Sequence, residues 1–151
     1  MFQKSMLSVV MGASALAACL LSSGVSYAGA TASSGFAFPY ADQNCFAVGG
    51  GAVTNTCTTD KQWMVSDYIQ VTGNHTVLVN GRRPSVSSTF ACAACATTKE
   101  GTFANCTPTT TLNVVGVNTQ LNIGTVNVPA FGSLYVSCTL GPNALFGSAS
   151  F

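Results

Sequence analysis

The sequence predicts an all-β protein: a single disulfide-stapled antiparallel β-sandwich, jelly-roll-like, that follows an N-terminal signal peptide. Three observations predict this fold class. Short runs rich in Val, Thr, Tyr and Phe alternate between apolar and polar residues, and turn residues separate them. No window combines sustained helical periodicity with helix caps. Six cysteines remain after the leader, an even number that is typical of a small exported domain.

The first part of the chain has the pattern of an export signal. Lys4 gives a positive start, an apolar stretch covers about residues 6–21, and "SYA" places small residues before a cleavage point at Ala28. The stretch is too short and wrongly flanked for a membrane span. We therefore predict a signal peptide over 1–28 and one β-sandwich domain over 29–151, with no transmembrane segment.

A second interpretation of the leader stays open. The sequence "LAAC" ends at Cys19 and resembles a bacterial lipobox, in which Cys19 would become the lipidated first residue. The protein would then be an outer-membrane lipoprotein instead of a released one. Both interpretations place it outside the cytoplasm, as a secreted, periplasmic or cell-surface protein of a bacterial envelope.

The strands follow one another at short intervals after the leader. Each candidate is a run with β-branched or aromatic residues and period-two alternation. Turn sequences separate several of them, including "TGN", "NGRRP", "TTKEG" and "VPAFG". "NGRRP" predicts a solvated loop tip for Arg82 and Arg83. The seven strands are predicted at 46–53, 62–71, 75–80, 85–95, 110–117, 120–128 and 132–140.

Alternation within two of these strands separates a core face from a polar face. Trp63 shares a face with valines in 62–71, which predicts a core position. Tyr68 and Gln70 fall on the opposite face. In 132–140, Cys138 lies on the apolar side and Tyr135 lies on the side of Ser and Thr. Tyr68, Gln70 and Tyr135 are therefore the candidate ligand face, suited to glycan hydroxyls, and an ordinary solvated sheet face is the alternative.

The sequence "CAAC" at Cys92 and Cys95 raises three alternatives. In a strand the two residues point to opposite faces, with Cα atoms ~10 Å apart, whereas a disulfide needs less than ~7 Å. A redox dithiol of this spacing normally begins a helix, and no helix start is present. A zinc site needs a second group of ligands, and the remaining cysteines are scattered. Structural disulfides to other cysteines are therefore favoured.

Six cysteines allow fifteen pairings, and their places in the predicted strands favour one set. The first bridge closes a glycine-rich hairpin, the second ties two core-facing strands, and the third closes the loop "ATTKEGTFAN". Each contributes about 2–4 kcal/mol to stability. The expected pairs are Cys45–Cys57, Cys92–Cys138 and Cys95–Cys106.

The mature domain has no net charge, because four basic residues balance four acidic ones. So few charges exclude a basic nucleic-acid face and an acidic metal-loading loop. Abundant apolar residues exclude intrinsic disorder. We expect no metal, no cofactor and no nucleic-acid partner. The charged residues are Lys61, Arg82, Arg83, Lys99, Asp42, Asp60, Asp67 and Glu100.

Catalytic candidates are few. His75 is the single histidine and lies beside a predicted turn. A triad of His75 with Asp67 or Asp60 and a serine would make a secreted hydrolase, but no Gly-x-Ser-x-Gly elbow occurs. We therefore predict that the protein is not an enzyme and has no catalytic residues, with a secreted hydrolase as the less favoured alternative.

Two segments carry a resemblance to other proteins. "NCFAVGGGAVTNTCTTDKQWMV" and "GSLYVSCTL" resemble the Cys, Gly and Trp landmarks of a loose group of uncharacterised small exported bacterial proteins. The resemblance covers about residues 45–140 and implies a disulfide-stapled β-sandwich without catalytic residues. Cys95 and Cys106 are additions to that pattern.

The sequence as a whole predicts a non-enzymatic protein of the envelope or the exterior. Its partner is expected to be a polysaccharide or another surface protein, bound on the Tyr135 side of the sandwich. The alternative is a structural matrix or surface component that assembles with itself.

Overall fold

The computed structural model describes residues 29–67 and 72–151, and these form two antiparallel β-sheets. The signal peptide predicted over 1–28, including Cys19, and the candidate residues Tyr68 and Gln70 lie outside the described residues. Short 3₁₀ helices span Ala32–Ser34 and Tyr40–Cys45. The strands are β1 (Gly29–Thr31), β2 (Phe36–Phe38), β3 (Phe46–Gly49), β4 (Ala52–Asn55), β5 (Lys61–Asp67), β6 (Gly73–Arg82), β7 (Phe90–Thr97), β8 (Phe103–Cys106), β9 (Thr110–Thr111), β10 (Thr119–Val128), β11 (Ser133–Leu140) and β12 (Leu145–Ser150).

The two sheets are built from strands that are distant in the sequence. The first sheet has the order β10-β6-β12-β4-β3, with β1 also paired to β12. The second has the order β2-β5-β11-β7-β8, with β9 also paired to β7. The prediction of an all-β sandwich of two antiparallel sheets is confirmed. Among the described residues, no helix is both long and apolar enough to span a membrane.

The inner faces of the sheets form one hydrophobic core. Phe90 of the second sheet meets Phe146 of the first edge-to-face, with ring centroids 6.4 Å apart. Trp63 is fully buried, as its strand face predicts, and packs on Phe46 with the ring centroids 4.7 Å apart. Its indole Nε1 donates a hydrogen bond of 2.8 Å to the carbonyl of Ala32, so the one polar atom of this large ring is satisfied.

All six cysteines of the described residues form bridges, in the expected pairs. The first bridge closes the β3–β4 hairpin. The other two join directly opposite residues of neighbouring strands, β7 with β11 and β7 with β8. Multiple disulfides are typical of oxidising compartments outside the cytoplasm. The bridges are Cys45–Cys57, Cys92–Cys138 and Cys95–Cys106.

The glycine-rich segment is the hairpin that the Cys45–Cys57 pairing implied, so the candidate strand 46–53 is divided into β3 and β4. Gly50 and Gly51 have φ of 59° and 82°. This left-handed backbone region favours glycine and reverses the chain between β3 and β4. The run of three glycines was therefore a turn signal inside an apolar pattern.

The prediction for "NGRRP" is wrong. β6 continues through Arg82, and a β-carbon at Gly81 would collide with the ring of Phe90. Gly81 thus serves close packing between the sheets and not a turn. Arg83 is half-buried: its guanidinium donates to the carbonyls of Ser88 and Val86, so it anchors the following loop instead of standing at a solvated tip.

The predicted strand 110–117 is mostly irregular. Thr110–Thr111 pair with β7, Val115 forms an isolated bridge to Arg83, and Gly116 has a positive φ of 84°. Val114 and Val117 are exposed. Alternating apolar residues form a strand only where a neighbouring strand offers its backbone groups, and β7 offers an edge here for two residues alone.

Candidate functional site

A groove of about 600 Å³ lies on the outer face of the second sheet, within the usual size of ligand sites. The alternation of β11 turns Leu134 and Val136 into the core, and it turns Tyr135 and Ser137 outward into the groove. Strand β5 contributes Gln62 and Met64 in the same way. The remaining lining residues are Phe38, Ala91, Ala93, Cys95, Thr97, Phe103, Cys106, Thr109 and Thr139.

Small side chains at the centre make this face concave. Ala93 lies opposite Ser137 in the β7–β11 register, and Ala91 lies opposite Thr139. Alanine and hydroxyl side chains project little from the sheet, whereas large side chains border them. The floor is therefore low and the rim high, so the sequence of β7, rich in alanine on both faces, shapes the groove.

Three aromatic rings stand around this floor. Phe103 of β8 is 73% exposed, and its ring centroid lies 6.0 Å from that of Tyr135 at an angle of 59°. Phe38 of β2, at the opposite edge of the sheet, is 54% exposed. Burial raises the pKa of the Tyr135 hydroxyl above its ordinary value, so the phenol stays neutral and able to donate. Exposed rings around a concave floor offer flat surfaces for a ligand to stack on.

The polar groups of the groove are neutral. Gln62 Nε2 donates a hydrogen bond of 2.5 Å to Ser137 Oγ, which holds both side chains on the floor. Three threonines add hydroxyl groups along the groove. Every lining residue among those described is uncharged. The site can therefore exchange hydrogen bonds with a neutral polar ligand, but it has no ion to pair with a charged one.

The wall that carries Phe103 is fixed from two sides. Strand β8 is an edge strand whose residues are all exposed, and the Cys95–Cys106 bridge ties it to β7. Asn105 adds a link to the first sheet, because its Nδ2 donates to the carbonyl of Asn127 at 2.6 Å. These contacts hold an otherwise weakly supported strand in one position.

Of the predicted ligand face, the structure places Tyr135 in the groove. Sequence reasoning missed Phe38 and Phe103 as site residues. Met64 and Gln62 share a face parity with the predicted Tyr68, so alternation in 62–71 was a signal that pointed toward them. Phe103 has no such signal, since it follows the turn "TTKEG" in a short strand.

The candidate hydrolase residues His75 and Asp60 do not line the groove. His75 belongs to β6 in the first sheet, opposite Val126 of β10, and Asp67 ends β5 in the second sheet. Asp42 is paired with Lys61 at 2.7 Å. Within the described ranges, no three His, Cys, Asp or Glu side chains are grouped to hold a metal ion.

Comparison with known proteins informs the fold alone. No protein-family model and no curated protein sequence matches this chain. Among solved structures, the chain is similar to the crystal structure of the Podospora anserina GH26-CBM35 β-(1,4)-mannanase, with a TM-score of 0.53 and 10% sequence identity. The likeness covers 82% of this chain but only 27% of that one. It supports the sandwich architecture.

Proposed function

We propose that this protein is an exported, non-catalytic carbohydrate-binding domain whose ligand occupies the groove of the second sheet. The observation that carries the proposal is the composition of that groove: three aromatic rings around a low floor of hydroxyl, amide and alanine side chains. The carbon-bound hydrogens on a sugar ring face carry slight positive charge, which suits the negative face of an aromatic ring. The sugar hydroxyls suit neutral donors and acceptors.

The structural likeness supports the same function. The mannanase combines a glycoside hydrolase part, GH26, with a CBM35 carbohydrate-binding module, and the matching segment is about a quarter of its chain. An all-β segment of that share fits a binding module better than a complete glycosidase. Fold alone does not fix function, so the argument rests on the groove and uses the likeness as support.

Export follows from the leader and the bridges together. A signal peptide over 1–28 would deliver the chain to an oxidising compartment, where three bridges form and persist. Lipidation at Cys19 would tether the same domain to the outer membrane. The groove functions in the same way in either location.

Electrophoresis in gels that contain soluble mannan, xylan or glucan tests this proposal. We expect one of these polymers to retard the wild-type protein, and Tyr135→Ala to weaken binding about tenfold, which corresponds to ~1.4 kcal/mol. Phe131→Ala is the matched control, because Phe131 is an exposed aromatic (65%) that does not line the groove. Isothermal titration calorimetry supplies the dissociation constants.

Two outcomes would contradict the proposal. Equal retardation of the wild-type and Tyr135→Ala proteins would show that the polymer does not bind in the groove. Absence of retardation by every neutral and anionic polymer, together with self-assembly in concentrated solution, would favour the structural matrix component instead.

A further inference from the structure

We infer that the groove takes an internal segment of an extended, uncharged polysaccharide that lies obliquely across the strands of the second sheet. This inference rests on the proposed function and deepens it, because it names the class of glycan, its direction and its length. Three features carry it: the position of the aromatic residues at both sheet edges, the chemistry of the floor, and the absence of charge among the described lining residues.

The extent of the lining sets the direction and length of the ligand. Lining residues come from all five strands in the order β2-β5-β11-β7-β8, from Phe38 at one edge to Phe103 at the other. Across the sheet, Phe38 and Phe103 are four strand spacings apart, ~19 Å. They are also offset along the strands, because their register rows meet β11 at Thr139 and Ser133, six residues or ~20 Å apart. The groove therefore runs obliquely over ~27 Å, and since a sugar unit in an extended chain covers about one strand spacing, it holds about 5 units.

Both ends of the groove reach an edge of this sheet. β2 and β8 are the terminal strands in its order, and the rings on them are more than half exposed. A polymer that enters over Phe38 can therefore leave over Phe103 and continue into solvent. The site has no need of a chain end, which distinguishes it from a pocket that encloses a terminal sugar.

The floor favours a sugar over an acyl chain or a peptide. An acyl chain would cover Gln62, Ser137 and Thr139 without replacing the hydrogen bonds they make to water, which costs free energy for each unpaired group. An extended peptide would gain more by pairing with an exposed sheet edge, where backbone donors and acceptors are free. A sugar chain has both an apolar ring face and hydroxyl groups, so it matches both parts of the lining.

The charge of the lining selects a neutral polymer. Recognition of uronate, sulfate or phosphate groups depends on Arg or Lys side chains placed for paired hydrogen bonds. The described lining residues include neither. Half-buried acidic sugars would therefore be desolvated without compensation.

The aromatic residues divide this groove into two stacking positions. At the β8 end, the inclined rings of Phe103 and Tyr135 form one platform. At the β2 end, Phe38 forms the other, next to Gln62, its partner in the β2–β5 register. The hydrogen-bonded pair Gln62–Ser137 lies between them. A segment bound at both platforms spans the groove, whereas a mono- or disaccharide reaches one of them.

The test is calorimetric titration with oligosaccharides of one to six units from the neutral polymer that retards the protein. We expect affinity to rise to about five units and then to level off. A reduced hexasaccharide, which keeps five closed rings, should bind like the pentasaccharide. Phe38→Ala and Phe103→Ala should each lower pentasaccharide affinity about tenfold and leave disaccharide affinity within about twofold, because the other platform remains.

Controls separate stacking from misfolding. Phe38→Tyr should restore pentasaccharide affinity because it keeps a ring at that edge, and Phe131→Ala should leave it unchanged. Intact mass under non-reducing conditions shows whether the three bridges of each variant have formed.

Several results would overturn the inference while leaving glycan binding in place. They are full affinity for a monosaccharide, loss of binding when the reducing end is reduced, stronger binding to polygalacturonate than to neutral polymers, and wild-type pentasaccharide affinity in both Phe38→Ala and Phe103→Ala. If no oligosaccharide or polymer binds the wild-type protein, the proposed function fails as well.

Discussion

Two bridges leave the same strand, β7, and serve opposite sides of the molecule. Cys92 pairs with Cys138, and both are fully buried in the core. Cys95, three residues later, pairs with Cys106 in the wall of the groove, where Cys106 is exposed. Both bridges join directly opposite residues with Cα atoms 4.1 Å apart. Their local geometry is the same, so the difference lies in what surrounds them.

The comparison shows that strand parity gives two cysteines close in sequence different structural roles. An odd separation along a strand sends one thiol to the core and the next to the outer face. The core bridge connects strands that would stay packed without it, because β7 and β11 have neighbours on both sides. The groove bridge holds β8, an edge strand that pairs with β7 alone. One bridge is expected to govern global stability, and the other the shape of the site.

Removal of the core bridge should have the largest effect. Its cysteines are 46 residues apart in sequence, and a loop of that length corresponds to about 4 kcal/mol of unfolding free energy in the chain-entropy model. We expect the double variant Cys92→Ala/Cys138→Ala to lose about that amount in guanidinium denaturation, with glycan affinity of the folded fraction unchanged. A loss below about 1 kcal/mol would show that core packing replaces the bridge.

Removal of the groove bridge should change stability less and binding more. The separation of 11 residues corresponds to about 3 kcal/mol in the same model, and edge-strand opening without global unfolding reduces the measured value further. We expect Cys95→Ala/Cys106→Ala to bind the groove ligand about tenfold more weakly, because Phe103 loses its fixed position. Calorimetry and guanidinium denaturation measure the two effects on one sample.

Native-state reduction sharpens that comparison without any substitution. Under mild reductant, alkylation should label Cys95 and Cys106 before Cys92 and Cys138, because Cys106 is exposed while Cys92 and Cys138 are shielded until the sheets separate. Peptide mapping identifies the labelled residues. Simultaneous labelling of all four would mean that the two bridges belong to one unfolding unit.

The smallest expected effect is a pH dependence at Tyr135. Burial raises the pKa of its hydroxyl above the ordinary value of 10.0. In the unfolded chain the proton leaves near pH 10, whereas the folded protein keeps it, so the contribution of this hydroxyl to stability is fully present below pH 10 and is lost as pH rises through the folded pKa. Tyr135→Phe should remove this part of the decline in urea unfolding between pH 8 and 11. A steeper decline in the variant would contradict the assigned direction of the pKa change of Tyr135.

Sequence patterns predicted the parts of this molecule that depend on local alternation. The faces of β5 and β11 follow from parity, which placed Trp63 in the core and Tyr135 on the outer face. The three bridges were predicted from the positions of the cysteines in the predicted strands and loops. Glycines were harder to interpret, because the same residue makes a turn at Gly50 and a close contact between sheets at Gly81.

The parts that failed depend on which strands become neighbours. Phe38 and Phe103 are far apart in sequence and belong to short strands without alternation, yet the sheet order brings both to one groove. Residues 112–117 have the valine-rich pattern of a strand, but among the described residues only Val115 pairs there, in a single bridge to Arg83. Neighbour choice is set by the packing of the whole core, and a single sequence contains no direct record of it.

Both ends of the described domain belong to the sheet that does not carry the groove. Gly29 of β1 pairs with Ser150 of β12 in the first sheet, whereas the groove is on the outer face of the second sheet. A linker fused to either end therefore leaves from the opposite layer of the sandwich. If the domain is immobilised through such a linker, on a bead, a sensor chip or a fusion partner, the groove points away from the support, toward polymer in the surrounding liquid.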